Sequence, residues 1–417
     1  MIVESIEKVC QGPTKLRELG CLAVGELMVR ALWKGQLKFQ SIYIPEPLER
    51  ALREWIDVVP ISLRQDILSK SSHILFSTIG RVTEMSSSTV PIMLAAIMET
   101  LYSSSLKSIE VWTDFHWHQE ARMKVLHLLH SQQTTVKNLH LTCYKTPIFQ
   151  FQALSFSERF LLMNVLNKFS HLKQLSVPYV ADDDLLAKIG GGACPQLECL
   201  DVQGSWEVTN QGLAVMSGQD GKMVIGRVGW VPSHFAQCGE GQKLLSNILQ
   251  GSPVSASQIA SMMTQNKAAQ SMTNSLRSLN VEKTAIDGKG IETVLENFLN
   301  MQRLYADEPH WQSLLVNLSG AGHGCRDCFP HNLPLRSVNL SRNTYSLLDP
   351  LSQILPNLEH LSISNFERSE VYLDGQDNIP LLHTFSKLIS LDLQDVEMDQ
   401  MYKYMAQGGG QNIRSFS

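Results

Sequence analysis

The sequence predicts an α/β fold: a curved parallel sheet with outer helices, preceded by a small all-α module. Three observations predict it. One short pattern recurs from residue 101 to residue 417: an apolar residue, two variable residues, an apolar residue, one variable, then another apolar. Segments with apolar residues three and four apart lie between its copies, as in helices. Before Leu106 the pattern is missing and the apolar spacing is helical.

The clearest copies are "LKSIEVW" from Leu106, "VKNLHLT" from Val136, "LKQLSVP" from Leu172, "LECLDVQ" from Leu197, "LRSLNVE" from Leu276, "LRSVNLSRN" from Leu335, "LEHLSIS" from Leu358 and "LISLDLQ" from Leu388. A weaker copy, "SLLVNLS", starts at Ser313. The last two apolar residues of each copy are two apart, so both face one side of a strand and the residue between them faces the other. That intervening residue is Glu110, His140, Ser176, Asp201, Asn280, Asn339, Ser362 or Asp392. A parallel sheet covered on both faces would carry near-continuous apolar strands. The polar positions favour one strand and one helix per unit, with "QEARMKVLHLLHS" and "ERFLLMNVLNKFS" as two of the helices. Such a unit, repeated roughly every 20 to 40 residues, is the signature of a leucine-rich repeat solenoid.

The array is expected to be irregular. Residues 206–275 read as a degenerate or inserted region in which only "KMVIGRVGW" looks like a strand. The final "QNIRSFS" reads as the start of another unit, with Ile413 and Phe416 in the apolar places. Either that strand is the natural edge or the chain is a shortened product. Residues 1–100 form the helical module. Leu16, Leu19, Ala23, Val24, Leu27, Met28 and Ala31 fall on one expected buried stripe, with Thr14 as N-cap. "IPEPLERALREW" supplies a proline-led second helix and "ISLRQDILSK" a third.

Composition narrows the function. With 43% hydrophobic and 18% charged residues the chain should fold. Its net charge of −5, without a Lys/Arg run, argues against nucleic acid as the main partner. No basic leader opens the sequence, and "PIMLAAIM" is too short to span a bilayer, so a cytoplasmic or nuclear protein with no membrane partner is expected. Cys10, Cys21, Cys143, Cys194, Cys199, Cys238, Cys325 and Cys328 lack the spacing of a disulfide framework and read as reduced thiols. Walker, dinucleotide, kinase and hydrolase motifs are missing, so neither an enzyme nor a cofactor is expected.

Two resemblances refine this reading. "CPQLECLDVQGSWEVTNQGLAVMS" resembles the cysteine-containing subclass of leucine-rich repeats, in which a V/I-T-x-x-G-L helix start follows the strand. "KLRELGCLAVGELM" resembles the BC box that binds Elongin C, and "IPEPLERAL" is similar to the cullin-facing segment of SOCS-type boxes. The resemblance, covering about residues 14–68, is to leucine-rich Elongin BC adaptors. It implies Elongin B/C and a cullin as partners, with Leu16, Leu19, Cys21 and Val24 in the Elongin C groove and Pro45, Pro47, Leu48 and Leu52 facing the cullin. Gly20 stands where the family usually has Cys, and Cys21 comes one place later. Two other readings of these helices stay open: a plain cap over the first open end of the solenoid, and a degenerate F-box.

The concave sheet should offer Glu110, Trp112, His140, Asp201, Gln203, Asn280, Glu282, Asn339 and Ser341 to a protein substrate. "HGCRDCFPH" gathers His323, Cys325, Cys328 and His331, residue types that can ligate zinc. Structural zinc sites join two ligand pairs across a loop, so a reduced-thiol connection is preferred and no metal is expected. "WTDFHWHQE" collects Trp112, His116, Trp117 and His118, read as an interface rim.

Overall fold

The computed structural model describes residues 18–26, 28–30, 50, 54, 59–79, 97–98, 107–113, 119–131, 136–143, 154–218, 272–320, 333–341, 348–364, 385–394 and 414–416. The chain divides into two compact units, Met1–Val177 and Pro178–Ser417. Each is α/β, its strands parallel and ordered in space as they are in sequence.

In the first unit, helix α1 (Ile61–Ile79) precedes strand β1 (Ser108–Thr113), helix α2 (Gln119–Ser131), strand β2 (Asn138–Cys143), helix α3 (Phe156–Lys168) and strand β3 (Gln174–Ser176). Both helices expected between strands are present. The pattern's leucines do what their spacing demands. Ile109, Leu139, Leu141 and Leu175 are buried, and so are Val125, Leu129, Leu162, Val165 and Leu166 of α2 and α3. Each such side chain contributes about 1.5–3 kcal/mol on leaving water. Helix α3 starts with a capping box: Glu158 N–H donates to Ser155 Oγ at 3.4 Å, and Ser155 N–H donates to Glu158 Oε2 at 2.8 Å.

The second unit runs α4 (Asp183–Lys188), β4 (Cys199–Asp201), α5 (Asn210–Met216), β5 (Ser278–Asn280), α6 (Gly288–Asn297), β6 (Arg303–Asp307), α7 (Glu308–Gly320), β7 (Ser337–Ser341), α8 (Leu348–Ile354), β8 (His360–Ser364), β9 (Ser390–Gln394) and β10 (Ser415–Phe416). Successive segments enter the sheet in one way. Two neighbouring amides donate to one carbonyl of the segment before: Arg277 and Ser278 to Glu198, Gln302 and Arg303 to Arg277, Arg336 and Ser337 to Gln302, Glu359 and His360 to Arg336. In the first unit Lys137 and Asn138 share the Lys107 carbonyl, and Lys173 and Gln174 share that of Lys137. A carbonyl has two lone pairs, so this arrangement satisfies both amides and fixes register.

Three expectations about the repeats meet the structure here. Strand β4 pairs directly with β5, Cys199 opposite Ser278, and of the region read as degenerate or inserted the described part, 206–218, supplies the helix α5 between them, while 219–271 lie outside the described residues. "KMVIGRVGW" itself lies outside the described residues. The weak copy from Ser313 is helical, inside α7. The strand of that unit is β6, where Met301, Leu304 and Ala306 are buried in the three pattern positions. Met and Ala hide it from a search for leucines. At the end of the chain, β10 pairs with β9, Ser415 opposite Ser390, as "QNIRSFS" suggested.

Side-to-side polar contacts tie α4, α5 and α6 together. Asp182, Thr209 and Asp287 are their N-caps. The residue after each cap reaches the next cap: Asp183 accepts from Thr209 N–H at 2.8 Å and Thr209 Oγ1 at 2.6 Å, and Asn210 Nδ2 donates to Asp287 Oδ1 at 2.7 Å. This explains the glycine of the V/I-T-x-x-G-L start. A Cβ on Gly212 would lie 2.2 Å from Asp183 Oδ1, and one on Gly290 would lie 2.6 Å from Asn210 Oδ1. The turns before these helices also repeat, with φ values of 64° at Tyr179, 73° at Gly204 and 55° at Lys283. The Gly204 amide donates to the Glu282 carbonyl at 2.8 Å, whereas the Lys283 amide donates to the Asp307 carboxylate instead. Among the described residues no helix is long and apolar enough to cross a membrane.

Candidate functional site

The alternation that buries the leucines lines up the intervening residues on the opposite face of the strands. In the first unit the middle row is Glu110, His140 and Ser176, in register. In the second it is Asp201, Asn280, Tyr305, Asn339, Ser362 and Asp392, again in register. One step towards the strand starts lies a row of Cys199, Ser278, Arg303, Ser337, His360 and Ser390. One step beyond the middle row, Asp307, Ser341, Ser364 and Gln394 align, and Gln203 and Glu282 precede Asp307 across the turns.

Hydrogen bonds hold the centre of this face. Glu282, 7% exposed, accepts from Gln203 Nε2 and from Asn339 Nδ2, each at 2.9 Å. Asp201 and Asn280 each accept from the amide two residues on, Gln203 and Glu282, at 3.1 Å, so both side chains are steered by their own backbone. Asn339 Oδ1 is sealed from solvent without a donor among the described residues, a situation that costs about 1–3 kcal/mol. Ser362 Oγ donates to Asp392 at 3.4 Å.

The strand registers put Glu110, His140, Asp201, Asn280 and Asn339 in the middle rows. Glu110, His140, Asp201, Gln203, Asn280 and Asn339 are partly exposed, while Glu282 is buried within the hydrogen-bonded centre. Trp112 and Ser341 are strand residues, opposite Thr142 and Asp307. Tyr305 and Asp307 escaped the sequence because β6 did.

The N-terminal helix buries only part of the expected stripe, together with residues outside it. Residues 18–26 and 28–30 are helical. Cys21, Gly25, Met28 and Val29 are buried, Leu19 and Val24 are half-buried, and Ala23 is exposed. Close approach at a glycine turns the helix this way: a Cβ on Gly25 would lie 2.9 Å from Ser71 Oγ of α1. Leu19, Leu22 and Ala23 therefore lie on the open side, with Leu22 40% exposed. Leu22 lies inside the box-like segment but has no assigned contact there. Leu16, Pro45, Pro47, Leu48 and Leu52, the rim residues His116, Trp117 and His118, and His323, Cys325, Cys328 and His331 lie outside the described residues.

A cleft of about 440 Å³ opens beside this helix, where Glu18 and Cys21 meet Asp66, Ser69 and Lys70 of α1 and Ser108 and Glu110 of β1. Ser69 Oγ donates to Glu110 Oε2 at 2.6 Å, fixing one carboxylate of the polar face. Among the described residues no group of three or more His, Cys, Asp or Glu stands ready to hold a metal ion. The two cysteines of the "CPQLEC" turn are poor nucleophiles. Burial pushes the Cys194 thiol up to about 12, and it raises that of Cys199 against the opposing pull of Arg303. The arrangement is built to hydrogen-bond and to carry charge. No protein-family model and no curated protein matches this chain.

Proposed function

We propose that the chain is the substrate-recognition adaptor of an Elongin BC–cullin ubiquitin ligase. It is a leucine-rich repeat solenoid, cytoplasmic or nuclear and without catalytic activity of its own. Its concave polar strand face holds a protein substrate, while its helical module of about 100 residues docks the ligase, whose partners carry the ubiquitin chemistry. One observation carries the docking half: the N-terminal helix buries Cys21, Gly25, Met28 and Val29 and leaves Leu22 and Ala23 exposed beside a half-buried Leu19. A helix-in-groove contact needs such an apolar strip, and Leu19 is a box leucine. Cys21 is 4% exposed, so it supports the helix from beneath and leaves the groove contact to its neighbours.

A second reading rests on the same helix. Burial of Cys21, Met28 and Val29 favours a plain cap on a leucine-rich scaffold with no ubiquitin link. Co-expression with Elongin B and C separates the two. The adaptor retains Elongin C through purification, Leu16→Ser and Leu19→Ser each lose it, and both variants keep the wild-type unfolding midpoint within a few degrees. Failure of the wild type to retain Elongin C leaves the cap.

A further inference from the structure

We infer that the strand-start edge of the second unit, over β5, β6 and β7, takes an acidic protein segment, with its carboxylates against Arg277, Arg303 and Arg336. The inference goes beyond the proposed function, because it needs no ubiquitin link and lies outside the middle row of polar residues. Arg303 stands in the first row, opposite Ser278 and Ser337. Arg277 and Arg336 directly precede those two serines, on the strands either side. The backbone holds the three together: the Arg303 amide donates to the Arg277 carbonyl at 2.9 Å, and the Arg336 amide donates to the Gln302 carbonyl at 2.9 Å. All three arginines are exposed. They are far apart in sequence and form no Lys/Arg run, so only the strand register brings them side by side.

Their charge is open to a partner. Among the described residues no hydrogen bond or ion pair engages the Arg277 side chain. Arg303 Nη2 donates to the Cys199 sulfur at 3.8 Å and is otherwise unengaged there. Arg336 Nη1 lies 3.2 Å from Glu359, yet its side chain stays 60% exposed, and an exposed pair of this kind contributes only about 0–1 kcal/mol. On either side the row changes sign, with Glu198 beside Arg277 and Glu359 beside Arg336. The basic stretch is therefore confined to three strands, about 10 Å at a strand spacing of about 4.8 Å. An extended segment with acidic residues at alternate positions sets its carboxylates about 7 Å apart, so two of them fit that span. Each guanidinium fork can take both oxygens of a carboxylate. Nucleic acid fits less well: its phosphates run on past the three strands to Glu198 and Glu359, and the whole chain carries a net charge of −5.

The test is fluorescence anisotropy on the full chain with a labelled synthetic peptide of alternating glutamate and serine, its lysine counterpart, and a thymidine oligonucleotide of equal charge. The wild type binds the glutamate peptide, more tightly than the oligonucleotide, and does not bind the lysine peptide. Affinity falls as salt rises from about 50 mM to about 300 mM. Arg277→Gln combined with Arg303→Gln weakens peptide binding at least about tenfold, and Arg277→Gln alone about threefold. Lys289→Gln combined with Arg30→Gln, which removes the same charge from exposed positions elsewhere, leaves it unchanged. Circular dichroism and the unfolding midpoint certify that the variants are folded. No binding of the glutamate peptide by the wild type, equal weakening in the two double variants, or tighter binding of the oligonucleotide overturns the inference. Elongin C retention is measured separately, so either reading can fail without the other.

Discussion

Helix α3 in the first unit and helices α4 to α6 in the second begin with the same kind of residue but rest on different support. The start of α3 closes on itself, because Ser155 and Glu158 satisfy each other's backbone amides within three residues. In the second unit the caps Thr209 and Asp287 satisfy their own helices and also bond the neighbouring helix, through Asp183 and Asn210. A self-contained cap stabilises one turn. A shared cap makes two neighbouring helices depend on each other.

This difference can be broken or sharpened by substitution. The largest effect belongs to Gly212→Ala. The new Cβ displaces Asp183 and breaks both of its bonds to Thr209, so urea unfolding should show a loss of about 2–3 kcal/mol. Next comes Asp183→Ala, at about 1–2 kcal/mol. A double-mutant cycle with Thr209→Ala should give a coupling above about 0.5 kcal/mol, whereas pairing Thr209→Ala with Ser155→Ala should give additivity. Ser155→Ala alone costs about 1 kcal/mol, the usual value of a local cap. The smallest effect is a gain. Lys283→Gly relieves a left-handed residue at φ 55° and should stabilise by up to about 1 kcal/mol, while Gly204→Ala at φ 73°, beneath the Tyr179 ring, should destabilise.

The second unit also carries a pH dependence. His310 is 3% exposed, and its Nδ1 accepts from the Asp307 amide at 3.0 Å. Burial lowers its pKa, against the opposing pull of Asp307. The unfolded chain therefore binds more protons than the folded one once the pH drops through the ordinary histidine range. Stability is full above that range and declines below it. Urea unfolding at about pH 7.5 and about pH 5.5 should show the decline, and His310→Asn should reduce it.

What was legible in the sequence follows from the same contrast. The strands were legible wherever the apolar pattern kept leucine, isoleucine or valine, because burial of one strand face is a period-two property of adjacent residues. It failed at β6, where Met301 and Ala306 fill the places. The polar face was legible position by position, since Asp201, Asn280 and Asn339 sit between apolar neighbours. Its connections were not: Gln203 and Glu282 are 79 residues apart, and Asn339 and Glu282 are 57 apart. The N-terminal helix was read from its leucines, yet Gly25 decided which side it buries, because a missing Cβ sets how closely α1 can approach. Hydrophobic spacing finds a helix, and packing chooses its face.

The proposed adaptor makes the open helix side and the polar strand face two separable devices, and one calorimetric titration tests that most directly. Elongin BC titrated into the full chain should bind one to one, with Leu19→Ser weakening the complex at least about tenfold and Glu282→Gln leaving it unchanged. Absence of binding by the wild type, or equal affinity in Leu19→Ser, would contradict it.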